Sequence, residues 1–406
     1  MAKIVVLSIP AYGHINPVLP IIAELIRRGH DVVVYNEAVF EELIRATGAG
    51  FVAYPPALRL EDLARVLADG NLVATLDLFM TATGPLLDFC LDRLPAEHPD
   101  VLVFDGTCIW GQMAAKRLGL KSVSTSPFFV FELMRHLTGS AEFWGHARTF
   151  LPGLPRLLWN IIRLMRFGPP NFPLQWPPFP MRGDLTLLLT SAELHPKSPL
   201  FDDPSFVFVG PAIDPGTRLE RFDFAQLNDR PLIYISLGTL HFSNDHFFEL
   251  CMETFADYPA QFLLSAGRGS DIKRLRNVPT NFVVTDSLPQ LAVLERASLF
   301  ITHGGLNSLH ESLWFGVPMV IVPQQFEQLR NALTAARGGA AIVLDDECYR
   351  RQVTGPALRA AVETVLGDPS IRAAARSLGT SLHDAGGFRE AASRIETIAV
   401  PTSRIR

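Results

Sequence analysis

Between Ser298 and Asn331 the chain reads SLFITHGGLNSLHESLWFGVPMVIVPQQFEQLRN. An apolar run, Leu299–Thr302, leads into His303, Gly304 and Gly305, and a helical pattern then opens with Asn307 and Ser308. Glycine lets a backbone turn sharply and approach a ligand closely. A helix start offers unpaired N–H groups and the positive end of a dipole, which together favour an anion such as phosphate. His303 adds a polarising donor at the same place. Glu311, eight residues after His303, is suited to accept from a sugar hydroxyl. A second apolar run, Val317–Val322, ends at Pro323 and delivers Gln324, Gln325, Glu327 and Gln328 to the same sheet edge. Phosphate donors at one strand end and hydroxyl partners at the next describe a nucleotide-sugar site. Structural readings stand beside these: Asn307 and Ser308 would cap the helix without any ligand, and Glu311 would serve as a solvated helix position.

A second constellation lies far upstream. His14 follows the run Ile4–Ile9 by a few residues, and Asp105 comes directly after Val101–Phe104. Histidine is the side chain most easily poised to accept a proton near neutral pH, and a carboxylate can fix its tautomer. Transfer of a glycosyl group to a hydroxyl needs that service, because the acceptor oxygen gains positive charge as it attacks. A loop or capping histidine and a turn aspartate are the alternatives.

Both constellations require parallel sheets, where ligands collect beyond the carboxyl ends of the strands. Ile4–Ile9 reads as a buried strand, Asn16 as an N-cap with Pro17 at the first helical position, and the helix continues to Arg28 with Gly29 beyond it. Val18, Ile22 and Leu25 share its apolar face. Asp31–Tyr35, Val101–Phe104, Ser122–Ser124, Leu185–Leu189 and Phe206–Val209 continue the strand rhythm, with a helix near Gly111–Leu118. A second set follows: Leu232–Ser236, Gln261–Ser265, Asn281–Val284, Leu299–Thr302, Met319–Val322 and Ala341–Leu344. The expected class is α/β, with two doubly wound, Rossmann-like domains facing across a cleft. They would span residues 1–210 and 232–384, joined by a Pro-, Gly- and charge-rich linker at 211–231.

AYGHINP, YISLGT, SLPQLAVL, THGGLNS and FGVPMVIVP occur in this order along nearly the whole chain. Together they resemble the nucleotide-sugar-dependent glycosyltransferases of the GT-B fold, in particular the bacterial macrolide glycosyltransferase-like branch of the UDP-glycosyltransferases. The resemblance implies an inverting, metal-independent sugar transfer with His14 as base and Asp105 as its orienting partner. It implies a second approach to the diphosphate from Ser236, Gly238 and Thr239, and a nucleoside contact from Gln290 in the Ser287–Leu288–Pro289–Gln290 stretch. His303, Gly305, Asn307 and Ser308 are similar to the diphosphate contacts, Glu311 to the ribose contact, and Glu327 with Gln328 to the pair that holds sugar hydroxyls. Many relatives carry an aromatic residue where Ser287 stands and stack it on the base, and plant relatives usually have Asp at the position of Glu327. UDP- and dTDP-sugars therefore both stay open as co-substrate, with no further cofactor expected. The likeness also implies that a final helix, about 385–399, packs back on the first domain.

The block from Pro127 to Met181 is rich in Phe, Trp, Pro and Arg and breaks the strand rhythm. It suits a lipophilic small-molecule acceptor such as a polyketide, phenol or terpenoid. Ile15, Phe79, Met80, Phe128, Phe131 and Trp144 are candidates for its wall. Packing of these side chains into the protein's own core is the competing reading. Arginines flanking apolar residues in LLWNIIRLMRF also fit contact with a membrane surface, which is the less favoured reading.

Length and composition agree with such an enzyme. A chain of 406 residues exceeds what one core usually supports. A net charge of −5 argues against nucleic acid as a partner. Cys90, Cys108, Cys251 and Cys348 are scattered without a CxxC pair, which favours reduced thiols and a cytoplasmic location. The first residues carry too short an apolar run for a secretion signal. No GxGxxG opens the first sheet and no Walker A sequence occurs, so nicotinamide and ATP chemistry lack support. A nucleotide-sugar epimerase and a non-catalytic binding or helper protein remain the alternatives.

Overall fold

The computed structural model describes residues 1–68, 72–130, 153–165, 179–217, 222–238, 245–267, 272, 275, 277–345 and 352–399. Two compact units divide the chain: residues 1–191, 196–213 and 385–406 form the first, and 192–195 with 214–384 form the second. The change of unit at 213/214 falls inside the stretch read as a linker. Its remainder belongs to the second unit, where Arg296 stacks over Phe224 at 4.3 Å from the ring centroid.

The first unit is built on β1 (Lys3–Leu7), β2 (Asp31–Asn36), β3 (Gly50–Ala53), β4 (Val101–Asp105), β5 (Ser122–Ser126), β6 (Leu185–Leu188) and β7 (Phe206–Phe208). They pair in the order β3-β2-β1-β4-β5-β6-β7, every pair parallel. Successive side chains point to opposite faces, and both faces are covered. Ile4, Val6, Val103 and Val123 pack with Ile22 and Leu25 on one side. Val5, Leu7, Leu102 and Phe104 pack with Trp110, Met113 and Leu86 on the other. Because β1 lies between β2 and β4, the strand order reverses between β1 and β4, and a crevice opens beyond their carboxyl ends.

Asn16 does not cap the helix after β1. A short helix already runs over Tyr12–Ile15, so Asn16 is in helical geometry and its N–H donates to the Tyr12 carbonyl. The next helix covers Leu19–Arg27 with Val18 at its N-cap position, and Pro20, not Pro17, occupies its first turn. Strand β3 was not foreseen. Helix Leu72–Glu97, also unforeseen, is long and apolar enough to cross a bilayer by length and composition. It buries Leu86, Leu87, Cys90 and Leu94 in the core of this unit. Burial pushes the Cys90 thiol up to about 12, and Cys108 and Cys251 are likewise buried with raised pKa values, so all three are inert at neutral pH.

The final helix, Gly387–Ala399, returns to the first unit and inserts Ala391, Ala392, Ile395 and Ala399 beside Ile22 and Leu25. An ion pair and a hydrogen bond fasten it: Arg28 reaches Glu396 at 2.7 Å, and His30 Nε2, with Nδ1 taken by the Ala2 N–H, donates to the same carboxylate at 2.8 Å. Arg28 also binds Glu24, which pairs with Arg27 as well and is almost wholly buried. The Arg27 hydrogen bond, followed by that of Arg28, holds the Glu24 carboxyl down at about 2 despite burial. A depressed carboxylate contributes stability that is complete above its ordinary value near 4.5 and is lost as pH falls toward 2. Glu24→Gln is therefore expected to cost roughly 1–3 kcal/mol at pH 7. The gap between wild-type and variant melting temperatures should close as pH drops through that window; a gap independent of pH would refute the assignment.

The second unit orders β8 (Leu232–Ser236), β9 (Gln261–Ser265), β10 (Phe282–Thr285), β11 (Leu299–Thr302), β12 (Met319–Ile321) and β13 (Ala341–Val343) as β10-β9-β8-β11-β12-β13, again all parallel. Its order reverses between β8 and β11, which repeats the plan of the first sheet. Helix Leu306–Trp314 follows β11 and rests on helix Pro369–Asp384, where Gly379 leaves room for the Leu313 carbonyl.

Candidate active site

In the first unit, His14 and Asp105 meet at the β1/β4 switch point. His14 Nδ1 lies 2.8 Å from Asp105 Oδ2. A carboxylate can only accept, so Nδ1 carries the hydrogen, and in the neutral ring the lone pair falls on Nε2. The Asp105 side chain is 1% exposed, while that of His14 is 23% exposed. Asp105 Oδ1 accepts from the Thr107 N–H at 2.8 Å and from the Thr107 hydroxyl. Both carboxylate oxygens are thus fixed, and through them the imidazole plane. Thr107 was not singled out in the sequence, although a threonine two residues after an aspartate is a familiar turn signal. Phe128 stands 6.2 Å from the His14 ring, centroid to centroid, and is half-buried.

The other acceptor candidates distribute differently. Ile15 is fully buried among Val18, Leu19 and Ile22, so its side chain is used in the core. Phe79 is 6% exposed and packs in the opposite core layer, with Met80 partly buried against it. Apolar type alone did not tell which face of helix Leu72–Glu97 each would occupy. Phe131 and Trp144 lie outside the described residues.

In the second unit the polar residues gather at the β8/β11 switch point. Ser236 ends β8, and its hydroxyl accepts from the Gly238 N–H at 3.4 Å. Gly238 has φ +83°, a conformation that L side chains rarely adopt. A Cβ on Gly238 would stand 2.7 Å from His303 Cε1, and a Cβ on Gly305 would stand 2.5 Å from His303 Nε2. These glycines keep the imidazole in place between two bare stretches of backbone. Thr239 lies outside the described residues.

Helix Leu306–Trp314 has Gly305, not Asn307 or Ser308, at its N-cap position. The turn is completed by backbone geometry, so Asn307 and Ser308 fall inside the first turn, and the capping expected of them does not occur. Ser308 Oγ accepts from Gln290 Nε2 at 3.3 Å, and Glu311 Oε2 accepts from the same nitrogen at 2.6 Å. Gln290 Oε1 in turn accepts from the Tyr234 hydroxyl at 3.2 Å. Tyr234 is buried and stacked on Phe300 at 4.6 Å, so its phenol fixes the direction of the Gln290 amide. Glu311 itself is 4% exposed, which sets aside a solvated helix position. Tyr234 escaped the sequence reading because it sits in an otherwise apolar strand. His310 is not a rival anion binder: burial, aided by His195, lowers its pKa to about 3 and keeps it neutral.

Glu327 is exposed, and its Oε1 accepts from Asn331 Nδ2 at 3.0 Å. Asn331 also donates to the Gly304 carbonyl at 3.2 Å, which ties the acidic position to the glycine loop. Gln328 is buried with Oε1 turned to the Gln324 N–H at 2.9 Å. Ser287 is half-buried and its carbonyl accepts from the Thr285 hydroxyl at 3.1 Å, while Leu288 is 6% exposed. Among the described residues no group of three or more His, Cys, Asp or Glu side chains is placed to hold a metal.

Two parallel α/β sheets with polar residues clustered at each switch point have the architecture of the GT-B glycosyltransferases. Residues 206–386 match the model of the UDP-glucoronosyl and UDP-glucosyl transferase family. It is 29% identical to oleandomycin glycosyltransferase of Streptomyces antibioticus, over 97% of this chain and 90% of that one. It is 29% identical to the NDP-glycosyltransferase YjiC of Bacillus subtilis (strain 168), over 96% and 95% of the two chains. The crystal structure of the kitacinnamycin glycotransferase superposes with a TM-score of 0.82 at 28% identity, covering 98% of this chain and 99% of that one.

Proposed function

We propose that this glycosyltransferase moves a hexose from a UDP- or dTDP-sugar to a hydroxyl of a lipophilic small molecule, with inversion at the anomeric carbon. The observation that carries the reading is the His14–Asp105–Thr107 arrangement, which fixes Nδ1 as the hydrogen-bearing nitrogen and leaves Nε2 as the basic position of the neutral ring. The acceptor oxygen attacks the anomeric carbon, its proton passes to His14 Nε2, and the bond from that carbon to the diphosphate oxygen breaks. One displacement inverts configuration. In the second unit, His303 and the N–H groups opening helix Leu306–Trp314 meet the diphosphate charge, so the reading assigns no role to a metal. Glu311, held by Gln290, receives the ribose hydroxyls, which leans toward UDP. Ser287 supplies no π face for the base and leaves dTDP in contention. Glu327 and Gln328 address the sugar. The names of the oleandomycin and kitacinnamycin enzymes point toward natural-product acceptors, of which polyketides and macrolides are the foremost class, with phenols and terpenoids beside them.

The test is a thermal-shift screen against UDP, dTDP and their sugars, followed by mass spectrometry and anomeric NMR on an acceptor panel. Stabilisation by one nucleotide and a product of inverted configuration are expected. A retained anomeric configuration would overturn the single displacement. Epimerised sugar without acceptor would establish the epimerase alternative, and donor binding without any turnover would leave a helper protein.

A further inference from the structure

Nine large apolar side chains are exposed among the described residues, and four of them, Leu158, Trp159, Ile162 and Met165, share helix Leu154–Met165. Their exposures run from 46% to 66%. Spacings of three and four residues place Leu158, Ile162 and Met165 on one face, with Trp159 beside them. The helix is turned this way by its other face. Leu157, Asn160 and Leu164 are buried toward helix Leu72–Glu97, where Asn160 Nδ2 donates to Asp77 Oδ1 at 2.6 Å and to Thr81 Oγ1 at 3.1 Å. Arg156 pairs with the second Asp77 oxygen at 2.8 Å. A rotation that buried the tryptophan would break this anchor and leave Asp77 without its partners. The larger apolar surface therefore faces out by construction, and a concentrated exposed patch of this kind marks an interaction site.

The surrounding charge says what kind of partner fits. From Phe143 to Gly183 the sequence holds five arginines (148, 156, 163, 166 and 182) and no aspartate or glutamate, within a chain of net charge −5. Trp144, Trp159 and Trp176 fall in the same stretch. Tryptophan, branched aliphatics and arginine without acids are the composition of a helix that lies in a membrane interface. Two copies of the patch would bring like charges together, which disfavours self-association. We propose that helix Leu154–Met165 docks the enzyme on an anionic lipid bilayer, with Leu158, Trp159, Ile162 and Met165 inserted among the acyl chains and Arg156 and Arg163 at the headgroups. A lipophilic acceptor partitions into the same layer, so docking would bring the enzyme to it; that consequence rests on the function proposed above, whereas the docking itself does not.

Co-sedimentation of the full chain with phosphatidylcholine vesicles, with and without phosphatidylglycerol, tests this. Binding is expected only with phosphatidylglycerol, and it should weaken as salt is raised. The combined variant Leu158→Gln, Trp159→Gln and Ile162→Gln alters only exposed positions and should lower the bound fraction at least about tenfold. Its thermal shift with the nucleotide should match that of wild type, which shows that fold and donor site are intact. Absence of wild-type binding to phosphatidylglycerol vesicles, or equal binding by the variant, would overturn the proposal. So would a lipid-free dimer that the variant dissociates, since the patch would then join two copies. A raised KM for a water-soluble acceptor, with vesicle binding unchanged, would make the patch part of the acceptor wall instead. Vesicle binding by a chain that ignores every nucleotide would leave the docking standing and remove the transferase reading.

Discussion

His14→Ala is expected to reduce kcat for transfer to hydroxyl acceptors by about 10²–10⁴-fold while calorimetry shows nucleotide-sugar affinity unchanged. The residues proposed to hold the donor all belong to the other unit, so removing this imidazole is expected to withdraw proton acceptance without touching them. Asp105→Asn should be nearly as damaging, for a reason particular to this site. The Thr107 N–H and hydroxyl both donate to one oxygen of Asp105. In an asparagine they would draw the amide oxygen to themselves and turn the NH₂ toward His14. The imidazole would then accept at Nδ1 and carry its proton on Nε2, the wrong tautomer for a base. Nearly full transfer by Asp105→Asn would contradict the orienting role, and loss of donor binding in His14→Ala would contradict the role of base.

Much of this site was legible because parallel sheets convert sequence position into place. His14 and Asp105 are 91 positions apart, yet each follows a strand, and β1 and β4 pair in register from Ile4↔Val101 to Leu7↔Phe104. The same logic joined Gly238 to His303 through β8 and β11. Local chemistry was less readable. Asn16 beside Pro17 imitates a helix start, but the backbone had already turned helical at Tyr12. Asn307 and Ser308 imitate one too, and there the extended Gly305 does the work. Side-chain type could not say whether Ile15 or Phe79 faces a ligand or the core, because both sit on helices against an apolar sheet and a small-molecule pocket is lined by the same residue types. Nor does a sequence show that Tyr234 stands behind Gln290, since that contact depends on which way a phenol points from a strand.

Gly305→Ala separates two accounts of why the glycines are there. Gly305 has φ −58° and ψ 139°, an extended conformation that alanine adopts without strain. The new methyl would meet only the His303 ring, at 2.5 Å from Nε2 and 3.1 Å from Cε1. The imidazole must swing away, and Gly238 on its other side shows how little space is left there. If His303 is the diphosphate donor, affinity for the nucleotide should fall at least about tenfold, as for loss of a charge-assisted hydrogen bond. The melting temperature should change little, because the group 2.5 Å from the new methyl is a side-chain ring, which yields by rotation rather than by a shift of backbone. The decisive measurement is the double-mutant cycle with His303→Ala, read by calorimetry. If the glycine makes room for the imidazole, the two substitutions remove the same interaction, and the coupling energy should be about 1–3 kcal/mol. If instead the glycine makes room for the phosphate itself, Gly305→Ala should weaken binding by the same factor with or without the histidine. Additive losses would thus transfer the anion contact from the ring to the bare backbone at the start of helix Leu306–Trp314, and an unchanged affinity in Gly305→Ala would remove this turn from the donor site altogether.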